Sequence, residues 1–132
     1  MNLDELLVYR LSMDVAEEIW RIIFKWEYFE KDTIGKQLIK AVDSISANLS
    51  EGFGRYYYKE NKQFCYYSRG SLFETKTWMR KASNRNLLEE KEYLTILNQL
   101  ERIGIKINNY INAIGKHKLQ NEKQIMTTND HQ

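Results

Sequence analysis

Residues 93–114 read YLTILNQLERIGIKINNYINAI, and the spacing of their apolar members decides the fold. Tyr93, Ile96, Leu97, Leu100, Ile103, Ile107, Tyr110, Ile111 and Ile114 recur every three or four residues. That spacing puts them on one side of an α-helix. Glu89, Glu90 and Glu92 precede the run, where carboxylates meet the positive end of a helix dipole. Gly115 follows as a C-cap, before Lys116, His117 and Lys118. A helix of about 28 residues, on the order of 40 Å long, is predicted.

Three earlier stretches carry the same period. Leu7, Leu11, Val15, Ile19, Ile22 and Trp26 form the first stripe, with the Glu17/Arg21 pair away from it. The second runs from about Thr33 to Phe53 through Ile34, Leu38, Ala41, Val42, Ile45, Leu49 and Gly52, with Asp32 or Thr33 as its N-cap. Gly52-Phe53-Gly54 breaks it, since each glycine costs a helix roughly 1 kcal/mol. The third spans about Lys59 to Ala82 through Phe64, Tyr67, Ser71, Leu72, Thr75, Trp78, Met79 and Ala82. Its small residues Ser68, Gly70 and Ser71 invite close approach of a neighbour, and Ser83-Asn84-Arg85-Asn86 is the next turn.

In 132 residues, 42% of them hydrophobic, four such helices joined by short loops imply an all-α, antiparallel up-and-down four-helix bundle. The bundle is expected over residues 1–118, with a polar, disordered tail over 119–132. The absence of Pro and the 6 Gly argue against turn-dense β folds. Cys65 is the single cysteine and cannot make an internal disulfide, which fits a reducing, cytoplasmic setting. No apolar run reaches the roughly 18–20 residues of a membrane span. Asp4 and Glu5 stand where a secretory signal needs basic residues.

Charge is unevenly spread. Residues 1–32 hold 4 Lys/Arg and 8 Asp/Glu, whereas residues 33–88 hold 10 and 4. Either the acidic and basic helices neutralise each other on packing, or the middle of the chain presents a basic face to nucleic acid or an acidic partner. The candidate phosphate contacts are Lys36, Lys40, Arg55, Lys59, Lys62, Lys76, Arg80, Lys81 and Arg85. Arg55-Tyr56-Tyr57-Tyr58-Lys59 is followed by Lys62, Tyr66, Tyr67 and Arg69. Aromatics interleaved with cations suit single-stranded nucleic acid, where bases stack and phosphates pair. The same composition suits a protein interface. Tyr56, Tyr57, Tyr58, Tyr66 and Trp78 are the stacking or interface candidates.

Catalytic constellations are not found. A nucleophile needs a base beside it, and the two histidines, His117 and His131, lie at the C-terminal end without an Arg four to six residues upstream. Glu-x-x-His pairs, zinc-ligand spacings and a phosphate loop are absent from the sequence, so neither metal nor cofactor is expected. Asn48, Glu51 and Arg55 are spaced along one helical side, with Ser71 and Glu74 on the next helix. The expectation is a polar cluster that fixes helix register, since an unpaired buried polar group costs roughly 1–3 kcal/mol. A ligand or catalytic role for Glu51 and Glu74 is the alternative.

Ser44-Ile45-Ser46-Ala47-Asn48-Leu49-Ser50-Glu51-Gly52-Phe53-Gly54-Arg55 resembles a family motif written roughly S-I-P-S-N-I-A-E-G-x-x-R. It belongs to bacterial four-helix-bundle proteins encoded within intervening sequences of 23S ribosomal RNA genes. Leu7-Val8-Tyr9-Arg10, Tyr28-Phe29-Glu30-Lys31 and Gly70-Ser71-Leu72-x-Glu74 resemble other segments of the family, so the likeness covers about residues 3–116. Ser46 stands where the family often has Pro, and Asp43 where a small apolar residue is usual. Loss of the Pro should straighten the second helix. The resemblance implies an antiparallel bundle, assembly as a homopentamer, and, in the branch that serves diversity-generating retroelements, binding of nucleic acid and a reverse transcriptase. Together these point to a non-enzymatic homo-oligomer that binds RNA, another nucleic acid, or a ribosomal or reverse-transcriptase-like partner. A protein-interaction scaffold without nucleic-acid binding is the alternative.

Overall fold

The computed structural model describes residues 1–116, and every regular element among them is helical. A 3-10 turn at Leu3–Glu5 leads into α1 (Leu7–Phe24). One α-turn at Tyr28–Glu30 continues through a π-helical stretch at Lys31–Gly35 into α2 (Lys36–Phe53). α3 (Tyr58–Asn84) and α4 (Glu90–Ala113) follow. The tail expected over 119–132, the boundary at residue 118 and both histidines lie outside the described residues.

α1 packs against α2 and α4, and α3 packs against the same two helices. α1 and α3 therefore face each other across the core. Aliphatic side chains fill it: Ile19, Leu38, Ile45, Leu49, Leu72, Leu100, Ile103 and Ile107 are fully buried.

The stripes of α2 and α4 lie where the spacing predicts. Ile34, Leu38, Ala41, Val42, Ile45, Leu49 and Gly52 are buried, as are Ile96, Leu100, Ile103, Ile107, Ile111 and Ile114, with Tyr93, Leu97 and Tyr110 at the margin. On α1 and α3 the predicted stripes hold in part: Val15, Ile19 and Trp26, and Leu72, Thr75, Met79 and Ala82, are buried as expected. On α1, Val8, Ser12, Val15, Ala16, Ile19 and Ile23 are buried, while Leu7 is 37% exposed and Leu11 and Ile22 are half-buried. On α3 the buried set is Cys65, Ser68, Leu72, Thr75, Met79 and Ala82. Tyr67 is exposed, and Phe64, Ser71 and Trp78 are half-buried. The buried hydroxyls, foreseen at Thr75 and unforeseen at Ser12, are satisfied locally. Ser12 Oγ donates to Val8 O at 2.7 Å, and Thr75 Oγ1 to Ser71 O at 2.8 Å, so polar residues enter the core with their hydrogen bonds made.

Several termini also differ. Neither Asp32 nor Thr33 caps α2, because the chain is already helical there. Thr33 Oγ1 donates back to Phe29 O at 2.7 Å, and Asp32 pairs with Lys36. α4 is 24 residues long, about 36 Å, and a Glu89/Glu92 capping box opens it. Gly115 takes φ +84°, the left-handed conformation expected of a C-cap. α3 runs through Asn84, and the turn falls at Asn86, φ 59°. Trp26 Nε1 closes that end by donating to Leu87 O at 2.7 Å. Ser46, where the resembled motif often has Pro, is buried within an unbroken α2, its hydroxyl donating to Asp43 O at 3.3 Å.

The close approach sits at Gly52 and not at Gly70. A Cβ on Gly52 would lie 2.7 Å from Asn61 Oδ1 and 2.9 Å from Phe64 Cβ, whereas one on Gly70 would meet nothing within 4 Å. Beside it, Ser68 Oγ donates to Ile45 O across the α2–α3 seam at 2.7 Å. Gly52→Ala is expected to lower unfolding stability by about 1–3 kcal/mol through overpacking. Gly70→Ala should raise it by about 0.5–1 kcal/mol, because alanine is the better residue in an open helix position. Urea denaturation of the two variants checks the opposite signs.

Candidate nucleic-acid interface

Burying Cys65, Ser68, Leu72, Thr75, Met79 and Ala82 dictates what α3 turns outward. Lys59, Lys62, Tyr66, Arg69, Phe73, Lys76 and Arg80 recur at steps of three and four on the flank toward α4. Lys59, Tyr66, Phe73 and Arg80 are exposed, and Lys62, Arg69 and Lys76 are half-buried beneath them. Arg69 lies over the Tyr66 ring at 4.9 Å, and Lys76 over Phe73 at 5.1 Å. The same two cations reach α4: Arg69 Nη1 donates to Asn108 Oδ1 at 2.9 Å, and Lys76 pairs with Glu101 at 3.0 Å. Between α3 and α4 runs a groove of about 440 Å³ floored by Leu72 and Gly104.

The predicted phosphate contacts are thus divided. Lys59, Lys62, Lys76 and Arg80 share the α3 flank. Lys81 lies over Trp78 at 5.0 Å on another side of α3, and Arg85 is exposed just past its end. Arg55 pairs with Glu51 at 2.6 Å and covers Phe64 at 4.8 Å. Lys36 and Lys40 are on α2, and Lys36 lines the groove between α1 and α2. Asp32's hydrogen bond and charge hold its ammonium above the usual lysine range. Tyr56 and Tyr57 stand exposed in an edge-to-face pair, centroids 5.0 Å apart, and Tyr58 packs by Gly115. Phe73 was not among the residues singled out from the sequence; its seven-residue offset from Tyr66, each followed three residues on by a cation, is the signal that marks it.

The polar cluster expected to fix register takes another form. Glu51 and Arg55 meet, but on the surface, and Asn48 Nδ2 turns back to Ser44 O at 2.9 Å. Glu74 is exposed and accepts from Trp78 Nε1 at 3.3 Å. These bonds stay within four residues along the chain because their residues face outward or lie at the margin of the core. Polar contacts between helices include Ser68 to Ile45, Asn61 to Tyr110 at 3.2 Å, Arg69 to Asn108, Gln99 to Glu18 at 3.1 Å, and the Lys76–Glu101 pair.

The acidic residues of the first segment lie elsewhere. Asp14, Glu17 and Glu18 are on α1, across the core from α3. Burial, and then the charge of Glu17, raise the Asp43 carboxyl above its ordinary range. A second exposed feature sits on that side: Trp20 (53% exposed) and Phe24 (68%) flank a groove of about 290 Å³ with Ile39, Lys31 and Lys36. Neither ring was foreseen as a site residue.

Among the described residues, no group of three or more His, Cys, Asp and Glu is arranged to hold a metal ion. No helix among them is long and apolar enough to cross a membrane. Burial pushes the Cys65 thiol up to about 11, so it carries its proton at neutral pH. Tyr110 is raised by burial too, partly offset by the bond from Asn61. The folded protein therefore holds the Cys65 proton more tightly than the unfolded chain, whose thiol titrates near 9.0. Its contribution is complete below pH 9 and is lost as pH climbs from 9 toward 11. Urea unfolding across that range should show stability falling, and Cys65→Ala should remove the thiol's share of the fall.

Comparison with known proteins gives three findings. The sequence model of the 23S rRNA-intervening sequence proteins matches residues 4–109. Among solved structures, the fold is similar to that of a protein of unknown function from the S23 ribosomal protein family of Bacteroides thetaiotaomicron, determined at 1.70 Å. The TM-score is 0.71 at 18% identity, over 79% of this chain and 97% of that one. No curated protein matches.

Proposed function

The chain belongs to the 23S rRNA-intervening sequence protein family, and on that premise we propose that it is a non-enzymatic, homo-oligomeric bundle that binds RNA through the outer flank of α3. One observation carries the proposal: the basic helix and the acidic helix lie across the core from each other, so the acids of α1 do not cover the cations of α3. The bundle is read as antiparallel and up-and-down. Partners on α4 fall in number as those on α3 rise, from Asn61/Tyr110 to Arg69/Asn108 to Lys76/Glu101, which supports opposed directions. Cys65, buried and protonated, is not poised to act as a nucleophile. The setting proposed is the cytoplasm.

Self-association is assigned to the Trp20/Phe24 face. Two large exposed rings beside a groove are costly to leave in water and typical of contact sites. The family resemblance suggests a pentamer. This face also favours the second reading, a scaffold that contacts protein only.

Fluorescence polarisation of a labelled RNA hairpin across salt separates the two. RNA binding predicts micromolar or tighter affinity at about 0.15 M salt, with the log–log slope steepening by about 0.7–0.9 per phosphate neutralised. Lys59→Glu with Lys62→Glu should then flatten the slope by roughly 1.4–1.8. Absence of binding even at low salt would leave the scaffold. Light scattering gives the third check: Trp20→Asp should reduce the assembly's mass toward that of one chain, 15.9 kDa.

A further inference from the structure

Along the outer flank of α3, an aromatic residue followed three positions later by a cation occurs twice, as Tyr66/Arg69 and Phe73/Lys76, one heptad apart. Lys59/Lys62 precede this pattern by one heptad, and Arg80 continues it. The run extends about 32 Å along the helix. In both repeats the cation lies over its ring, and the aromatic residue is still exposed, Tyr66 at 44% and Phe73 at 60%. In both, the same cation is anchored on α4, by Asn108 or Glu101, so its position is fixed before any ligand arrives.

From this geometry we infer that the α3–α4 groove accepts an unpaired nucleic-acid strand, one base stacking on Tyr66 and one on Phe73, with Arg69 and Lys76 holding the phosphates. The inference rests on the nucleic-acid function proposed above and adds its ligand class. A duplex offers phosphates but hides its base faces, so the exposed rings would gain nothing from it. An unpaired strand offers both, and aromatic stacking suits any base. The rings are about 10.5 Å apart along the helix axis, well beyond the ~3.4 Å between stacked bases of one strand. The strand must therefore be splayed, one base to each ring. A helix from another protein fits less well, because it would bury Lys62, Arg69 and Lys76 together, and several desolvated like charges are unfavourable.

The test compares an RNA of about 12 nucleotides, free or annealed to its complement, by fluorescence polarisation at several salt concentrations. The free strand should bind on the order of ten-fold more tightly than the duplex, and Tyr66→Ala and Phe73→Ala should each weaken it roughly ten-fold without changing the salt slope. Both rings are exposed, so the variants should keep the parent melting temperature. Equal affinity for the duplex, with the aromatic variants silent, overturns the stacking groove and leaves RNA binding in place. Failure to bind either RNA at low salt removes both. A fall in assembly mass on Tyr66→Ala would make this flank a contact between copies and overturn the inference.

Discussion

At the seam between α2 and α3, Gly52 leaves no room for a side chain against Asn61 and Phe64, and Ser68 spends its hydroxyl on the Ile45 carbonyl. This contact sets the rotation of α3 about its own axis. A helix with Ser68, Thr75 and Cys65 inward must carry Tyr66, Arg69, Phe73 and Lys76 outward, because its period allows no other arrangement. A bulkier residue at either position would separate the two backbones and release that rotation. The surface proposed to bind RNA therefore depends on the smallest atoms of the core.

Helix order then decides what the outward face can do. Neighbouring helices with opposite charge would have formed pairs and left little field. Here α3 borders α2 and α4, each with its Lys/Arg and Asp/Glu in balance, and α1 stands on the far side. A net charge of only +2 thus conceals a molecule with one basic side. The few ion pairs on that flank, such as Lys76–Glu101, position cations without neutralising the row.

The sequence makes α2 and α4 legible because their buried faces are built from large aliphatic residues at regular spacing. Leu38, Ile45 and Leu49, and likewise Ile96, Ile103 and Ile107, leave no competing stripe. In α1 and α3 the inward positions include Ser12, Ser68, Thr75 and Cys65, while Trp20, Phe24, Tyr67 and Phe73 point outward. Hydrophobic periodicity therefore finds Val15, Ile19, Leu72 and Met79, but it counts Leu7 and Tyr67 inward and leaves out Ser12, Cys65 and Ser68. Buried hydroxyls bonded to carbonyls within a turn, or across a seam, cannot be told from surface hydroxyls by pattern alone. Lys59, Lys62, Lys76 and Arg80 were visible as a basic run, but only the α3–α4 contacts distinguish them from Lys36 and Lys40. Pins between helices such as Asn61–Tyr110 join residues far apart in sequence, so local spacing gives no hint of them.

The central claim is that RNA meets this protein on the α3 flank facing α4. Photocrosslinking of a 4-thiouridine RNA, followed by mass spectrometry of the crosslinked peptides, tests it directly. The account predicts adducts on the peptides carrying Tyr66, Arg69 and Phe73. Adducts confined to the Trp20/Phe24 side, or spread evenly over all four helices, would contradict it.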